Sequence, residues 1–131
     1  MGNKRILIVH DDQDMLVALR LILESASYQV VGASSSQEGL QKIQELSPTL
    51  IILDATLETA SDLQISLVLR NPAPQSPYAS YRHIPILMLT PYHTTTSLRF
   101  GPDEAYLPVD DSVEMPIDPD LLLNKVRSLM A

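Results

Sequence analysis

Three short apolar runs in this chain each end on polar side chains that are suited to phosphoryl chemistry. The side chains that follow the three runs are His10, Asp11 and Asp12, then Asp54, and then Thr90. Neighbouring carboxylates can hold a hard cation such as Mg²⁺, and a carboxylate is also a known nucleophile toward phosphoryl groups. If the fold brings the three positions together, these side chains are candidates for a site that binds a cation and handles a phosphoryl group.

The three runs themselves are typical of strands. They consist of Ile, Leu and Val with one Met and one Pro, at residues 6–9, 50–53 and 84–89. Continuous apolar runs of this length indicate strands that are buried on both faces of a parallel sheet. In an open parallel α/β sheet the site lies just beyond the carboxyl ends of the strands. The sequence therefore predicts that the polar side chains share one edge of a sheet.

The first half of the chain alternates between strand and helix patterns. Apolar residues at helical spacing predict a helix at 12–26, and Ser35 with Glu38 has the spacing of a capping box at the start of a second helix, which Pro48 ends. Strands are predicted at 4–9, 28–33 and 49–53. Alternation of strands and helices with short links favours right-handed βαβ units and a parallel sheet.

The second half is less regular, because all of the ten prolines except Pro48 lie in residues 72–119 and restrict helices there. Asp118 followed by Pro119 predicts the start of a last helix, since this is an N-cap followed by proline at the first helical position. The other predicted elements are a helix at 61–70, an extended loop at 71–77, a weak helix at 92–100 and a short strand at 112–114.

Composition limits the classes of protein that this chain can represent. It has 131 residues, a formal net charge of −7 and no cysteine. The length predicts one domain, residues 1–131. The acidic balance without a basic run argues against binding to nucleic acid or to an anionic membrane, and the lack of cysteine excludes disulfides and thiolate chemistry. No apolar run reaches membrane-spanning length and the N-terminus is not a signal peptide, so we expect a cytoplasmic protein.

Taken together in order and spacing, the motifs resemble the receiver domain of two-component response regulators over residues 4–130. The matching motifs are ILIV-HDD at the first strand, LIILD at the third, ILMLT at the fourth and EMPIDPDLL before the last helix. The resemblance implies a doubly wound, flavodoxin-like fold with a five-stranded parallel sheet in the order 2-1-3-4-5. It also implies a signalling module rather than an enzyme, with a sensor histidine kinase as its phosphoryl donor.

The resemblance implies a role for each matched residue. Asp54 stands where the family accepts the phosphoryl group, and Asp11 stands where an acid ligates Mg²⁺ directly. Thr56 matches the position whose backbone carbonyl ligates the metal, so Asp11, Asp54 and Thr56 are the predicted metal ligands. Thr90 matches the hydroxyl that follows the phosphoryl group and reports its presence.

Three departures from the family pattern bear on function. His10 stands where the family has the first of two acids, Met115 stands where it has a lysine before Pro116, and Ser112 stands where it has an aromatic switch residue. The stretch PVDDSVEMP resembles a divergent subgroup of receivers, here without the lysine. We therefore expect Mg²⁺ to bind more weakly than in receivers with two acids, and the output surface to respond weakly to phosphorylation.

Three functions remain open at this point. The first is a phosphoacceptor that takes a phosphoryl group from a histidine kinase onto Asp54 and acts through a homodimer or an output protein. The second is a degenerate receiver that serves as a phosphorylation-independent interaction module. The third is a small α/β hydrolase or phosphatase using Asp11 and Asp54, but the sequence has no Gly-rich phosphate loop, since its four glycines are isolated.

Overall fold

Five parallel strands form a single sheet in this protein. The structure is a computed structural model that describes residues 4–60, 64–70, 75–90 and 109–131. The strands are β1 (Arg5–Val9), β2 (Gln29–Ala33), β3 (Leu50–Asp54), β4 (Ile86–Thr90) and β5 (Asp111–Glu114). Their order across the sheet is β2-β1-β3-β4-β5. The predicted α/β class and strand order are therefore confirmed.

Helices pack on both faces of the sheet. They are α1 (Gln13–Ser25), α2 (Ser36–Leu46), α3 (Ala55–Ala60), α4 (Ile65–Arg70) and α5 (Pro119–Leu129), with a 3₁₀ turn at Ala79–Tyr81. The side chains of Asp12, Ser35 and Asp118 accept backbone N–H groups at the starts of α1, α2 and α5. These contacts satisfy backbone donors that have no partner within the helix, which confirms the predicted helix starts.

The start of α2 also shows the predicted partnership of Ser35 and Glu38. The Glu38 N–H donates to the Ser35 hydroxyl (3.1 Å), while the Glu38 carboxylate accepts from the backbone N–H of Ser34 (2.9 Å). The second contact reaches one residue further back than in a strict capping box. Hydrogen bonds from Ser34 lower the pKa of the Glu38 carboxyl. Because this folded-state pKa is depressed, its small contribution to stability is present at neutral pH and is lost as the pH falls.

The region after β3 differs from the prediction of one helix at 61–70. The chain enters α3 at Ala55, directly after β3, and α4 begins at Ile65. The Asp54 carboxylate accepts the backbone N–H of Leu57 (3.0 Å), which favours this early helix start. The predicted helix at 92–100 and residues 71–74 of the predicted loop lie outside the described residues.

Two apolar layers enclose the sheet, one on each face. Leu7 and Val9 of β1 pack in the layer that includes α2 and α4, whereas Ile6 and Ile8 pack in the layer that includes α1 and α5. All four side chains are buried. Burial on both faces explains why the strands are continuous apolar runs, and it leaves polar side chains for the strand ends.

Arg70 joins α4 to the amino ends of the last two strands. Its guanidinium donates to the carbonyl oxygens of Arg82 (2.6 Å) and Ile84 (2.8 Å) and to the Asp110 carboxylate (2.6 Å). The same Asp110 oxygen accepts the backbone N–H of Ile86 (2.7 Å). Asp110 and Ile86 lie at the edge opposite the strand-end acids, so this network positions β4 and β5 and belongs to the scaffold.

Gly39 lies where α2 crosses the sheet, and we expect Gly39→Ala to destabilise the protein. A Cβ at this position would lie 2.9 Å from Val9 Cγ2 and 3.0 Å from Ile65 Cδ1. Alanine improves helix propensity by about 1 kcal/mol over glycine, but overpacking a core costs about 1–3 kcal/mol. We expect the free energy of unfolding to fall by about 1 kcal/mol in urea denaturation. A variant as stable as the wild type would show that α2 can move away from β1.

Candidate functional site

The carboxyl ends of β1, β3 and β4 meet at one edge of the sheet and bring the predicted site residues together. Val9 of β1 pairs with Leu53 of β3, so the residues that follow each strand become neighbours. Asp54 in turn pairs with Leu89 of β4, one residue before Thr90. The predicted edge is therefore where the structure places His10, Asp11, Asp54 and Thr90.

His10 is the buried centre of this edge. It is 8% exposed, and its backbone N–H donates to the Ala33 carbonyl at the end of β2 (2.9 Å). Its ring Nδ1 accepts the backbone N–H of Asp12 (3.1 Å). Nδ1 also lies 3.7 Å from Asp11 Oδ1, and Nε2 lies 3.6 Å from Asp54 Oδ1. The imidazole therefore stands between the two carboxylates that the sequence predicted as metal ligands.

The two oxygens of Asp54 have different surroundings. Oδ2 accepts the Leu57 N–H at the start of α3 (3.0 Å), while Oδ1 faces His10. The side chain is 16% exposed, so it is largely enclosed but open to a reactant. A carboxylate with one oxygen held by the backbone keeps a fixed orientation, which directs Oδ1 toward the edge of the sheet.

Asp11 and Asp12 have separate roles. Asp12 accepts the backbone N–H groups of Asp14 and Met15 and thus caps α1. Asp11 projects into solvent with a side chain that is 65% exposed, and its Oδ1 faces His10. Asp11 is therefore the acid of this pair that is available to a cation.

One ligand atom each from His10, Asp11 and Asp54 lie within 4.8 Å of one another, so the three residues form a candidate metal cluster. The carboxylate oxygens of Asp11 and Asp54 suit Mg²⁺, which prefers oxygen ligands. The imidazole of His10 does not suit Mg²⁺, because nitrogen ligands favour transition metals. The residues therefore fit Mg²⁺ through two carboxylates and leave a poor ligand at the third position.

Thr56 is the second residue of α3 and is exposed. In an α-helix each carbonyl accepts the N–H four residues later, so the carbonyls point toward the helix C-terminus. The Thr56 carbonyl is therefore directed away from Asp54, which precedes the N-terminus of α3. Cation ligation by Thr56 stays a prediction, and it requires the first turn of α3 to open.

Thr90 is buried at the end of β4, and its side chain is engaged with β5. The hydroxyl donates to the Val113 carbonyl (3.3 Å), and the Thr90 carbonyl accepts the Met115 N–H (2.9 Å). Contact between the hydroxyl and a group on Asp54 would require the first of these bonds to break. The role of Thr90 as a reporter of phosphorylation stays a prediction.

Lys125 does not replace the lysine that is missing at Met115. Its ammonium group binds Asp111 Oδ1 (3.0 Å) and the Ser112 carbonyl (2.8 Å) at the start of β5. Asp111 lies three residues before the carboxyl end of β5. It is therefore roughly 10 Å from the edge of the sheet at which the site lies. Among the residues that the structure describes, His10 is the side chain able to carry positive charge that faces Asp54.

Sequence reasoning missed two contacts at this site. One is the Leu57 N–H that holds Asp54, and the other is the position of His10 between both carboxylates. The position of His10 had a signal in the sequence, because His10 directly follows a buried strand and precedes Asp11. No sequence signal pointed to the Leu57 contact, because it depends on a helix that starts immediately after β3.

A helix of the length and apolar character needed to span a membrane is absent from the part of the chain that the structure describes.

Comparisons with known proteins bear on the family of this chain. The family model of the response regulator receiver domain matches residues 6–127. The chain is 29% identical over 128 residues to the alkaline phosphatase synthesis transcriptional regulatory protein PhoP of Bacillus subtilis, covering 98% of this chain and 49% of that protein. It is 28% identical over 126 residues to the CAI-1 autoinducer sensor kinase/phosphatase CqsS of Vibrio cholerae, covering 96% of this chain and 17% of that protein.

Solved structures share the fold. A CheY-like response regulator receiver domain protein from Methanospirillum hungatei is 25% identical, with a TM-score of 0.72 and coverage of 98% of this chain and 94% of that one. The chemotaxis protein CheY4 of Vibrio cholerae is 21% identical with a TM-score of 0.76 over 98% and 99% of the two chains, which shows the fold alone. The chain spans about half the length or less of the two curated relatives named above. With its family model matched along nearly its whole length, the chain belongs to the response regulator receiver domain family.

Proposed function

We propose that this receiver, residues 1–131, accepts a phosphoryl group from a sensor histidine kinase onto Asp54. The observation that carries the proposal is the orientation of Asp54 at the carboxyl edge of the sheet. Its Oδ2 is held by the Leu57 N–H, and its Oδ1 faces the cluster of His10 and Asp11. Family membership supports a signalling role, and the two relatives named above are a transcriptional regulatory protein and a sensor kinase/phosphatase.

The proposed step is a phosphoryl transfer between a histidine nitrogen of the kinase and Asp54 Oδ1. The bond from Oδ1 to phosphorus forms as the bond from the histidine nitrogen to phosphorus breaks, and the electron pair stays on that nitrogen. Catalysis of such a transfer is mainly a matter of positioning and charge stabilisation. The Leu57 N–H positions the nucleophilic carboxylate by holding Oδ2 (3.0 Å).

We propose that Mg²⁺ binds this site weakly, through Asp11 and Asp54. The ion would supply neutralisation of the phosphoryl charge. The exposed Asp11 side chain leaves room for the water ligands that Mg²⁺ usually keeps. Weak binding follows because His10 contributes no negative charge where other receivers have an acid. Thr56 joins the ligands only if its carbonyl is released from α3.

We propose that the partners of this chain are proteins: a kinase, and a homodimer or an output protein that reads the phosphorylated state. The net charge of −7 gives no surface attraction to nucleic acid or to anionic lipid. We also propose that the protein is cytoplasmic and turns over no substrate as an enzyme. We further propose that it belongs to the divergent subgroup of receivers that lacks the lysine at the Met115 position.

A phosphorylation-independent interaction module is the second candidate. It is favoured by the loss of a cation at Met115 and by the Thr90 hydroxyl, which is already bonded to Val113. The two candidates separate when the intact protein is weighed after treatment with acetyl phosphate, with and without Mg²⁺. One added phosphoryl group supports the acceptor. An unchanged mass supports the interaction module, and steady release of phosphate from a phosphate monoester without any adduct would instead indicate a phosphatase.

The response of the output surface to phosphorylation is expected to be small in the wild type and larger in the double variant Met115→Lys with Ser112→Phe. A lysine at this place offers a charge-assisted hydrogen bond of roughly 1.5–3 kcal/mol to the phosphoryl group. A ligand shifts an equilibrium only by its differential interaction with the two states. This bond should therefore increase the change that phosphorylation makes in the equilibrium constant between the two states of the output surface by about tenfold or more.

Amide NMR shifts of Thr90 and residues 109–116 measure this response after addition of beryllofluoride as a phosphoryl mimic. Met115→Gln with Ser112→Phe is the matched control, because it keeps a long polar side chain without the charge. A wild-type response as large as that of the lysine variant would show that the protein signals by another route.

A further inference from the structure

We propose that His10 directs an Nε2–H donor at Asp54 and, resting on the proposed function, at the phosphoryl group formed there. In this role His10 stabilises part of the charge of the phosphoryl group. With an acidic pair at this place, a bound cation would supply that stabilisation. The proposal follows from the geometry of the imidazole at the end of β1.

The backbone of Asp12 sets the tautomer of His10. The Asp12 N–H donates to Nδ1 (3.1 Å), and an imidazole nitrogen that accepts a hydrogen bond carries no proton. The neutral ring therefore carries its proton on Nε2. Asp12 is held in place because its own side chain caps α1 through Asp14 and Met15. The start of α1 thus determines which nitrogen of His10 is the donor.

The Nε2–H group faces Asp54. Nε2 lies 3.6 Å from Oδ1, beyond the usual hydrogen-bond distance of about 2.7–3.2 Å. Donor–acceptor contacts at reactive sites are often long before the reactant binds. A phosphoryl group bonded to Oδ1 would bring further acceptor oxygens toward this N–H. Because the Leu57 N–H holds Oδ2, Oδ1 is the oxygen kept on the side of His10.

The same tautomer argues against His10 as a metal ligand. A metal needs a nitrogen lone pair, but Nε2 carries the proton and the lone pair of Nδ1 accepts the Asp12 N–H. The cluster of His10, Asp11 and Asp54 therefore offers a cation two carboxylates and one opposing N–H group. His10 is buried at 8% exposure, which restricts rotation of the ring into another arrangement.

Two variants separate a donor from a structural side chain. His10→Gln keeps an N–H donor near the position of Nε2, whereas His10→Asn keeps polar atoms only near the position of Nδ1. With acetyl phosphate as donor, we expect phosphorylation of His10→Asn to be about tenfold slower than wild type, the loss of one charge-assisted bond. His10→Gln should restore most of this rate. Thermal unfolding confirms that both variants fold.

NMR of the ¹⁵N-labelled protein tests the donor without any phosphorylation. Long-range ¹H–¹⁵N spectra of the neutral ring should show the Nε2–H tautomer, unchanged when Zn²⁺ is added, and the Nε2 shift should move in the variant Asp54→Asn. An Nδ1–H tautomer, a Zn²⁺-bound imidazole, or equal slowing in the folded His10→Gln and His10→Asn variants would overturn the proposal. If the wild type forms no adduct, the proposed function fails, and the tautomer and the Asp54-dependent shift still decide the role of His10.

Discussion

Replacing Asp54 with asparagine is expected to abolish phosphoryl labelling of this chain. The amide of Asp54→Asn has no anionic oxygen that can attack phosphorus. Its carbonyl oxygen can still accept the Leu57 N–H that Oδ2 accepts in the wild type. Asparagine is also as good an N-cap as aspartate, so the start of α3 should survive and the loss should be one of chemistry alone.

Intact-protein mass spectrometry after acetyl phosphate treatment measures this effect. Asp12→Asn is the matched control, because Asp12 caps α1 and asparagine preserves that role. It should label like the wild type. Asp11→Asn should label more slowly, since it removes one proposed ligand of the cation but leaves the acceptor. Labelling that persists in Asp54→Asn would place the acceptor elsewhere and contradict the assignment.

The variant His10→Asp is expected to bind Mg²⁺ more tightly than the wild type, by about tenfold or more. The change replaces an N–H group that faces Asp54 with a third carboxylate, beside Asp11 and Asp54. Mg²⁺ prefers oxygen ligands, and affinity at carboxylate sites rises with the number of charged ligands. Changes around a metal site commonly alter affinity by about 10–100-fold.

Titration calorimetry with Mg²⁺ measures the affinity, and His10→Asn is the control because it removes the imidazole without adding charge. Without Mg²⁺, His10→Asp should be less stable than the wild type, since three carboxylates repel one another. Because it should bind Mg²⁺ more tightly, its melting temperature should rise more steeply with Mg²⁺ concentration. An affinity equal to or weaker than that of the wild type would show that His10 does not limit cation binding.

Local patterns in the sequence predicted most of the scaffold. The apolar runs at 6–9 and 50–53 indicated strands buried on both faces, and both are confirmed. The caps at Ser35 and Asp118 predicted two helix starts, because a cap joins residues only two or three positions apart. The order of acids and strand ends also placed Asp54 beside the first strand, since parallel strands carry their carboxyl ends to one edge.

Tertiary structure decided how the site residues contact one another. The tautomer of His10 follows from the path of the backbone into α1, and its distance to Asp54 follows from the register of β1 and β3. The Thr90 hydroxyl finds its partner in Val113, 23 residues away, through the pairing of β4 with β5.

A sequence pattern reports burial and local capping, because these depend on near neighbours. Hydrogen bonds between distant residues depend on register, where a shift of one residue turns every side chain to the other face. The residue types at 10, 11, 54 and 90 therefore indicated phosphoryl chemistry from the sequence alone. Only the packed sheet decided that an N–H group of His10 faces the proposed acceptor, because that contact joins residues 44 positions apart.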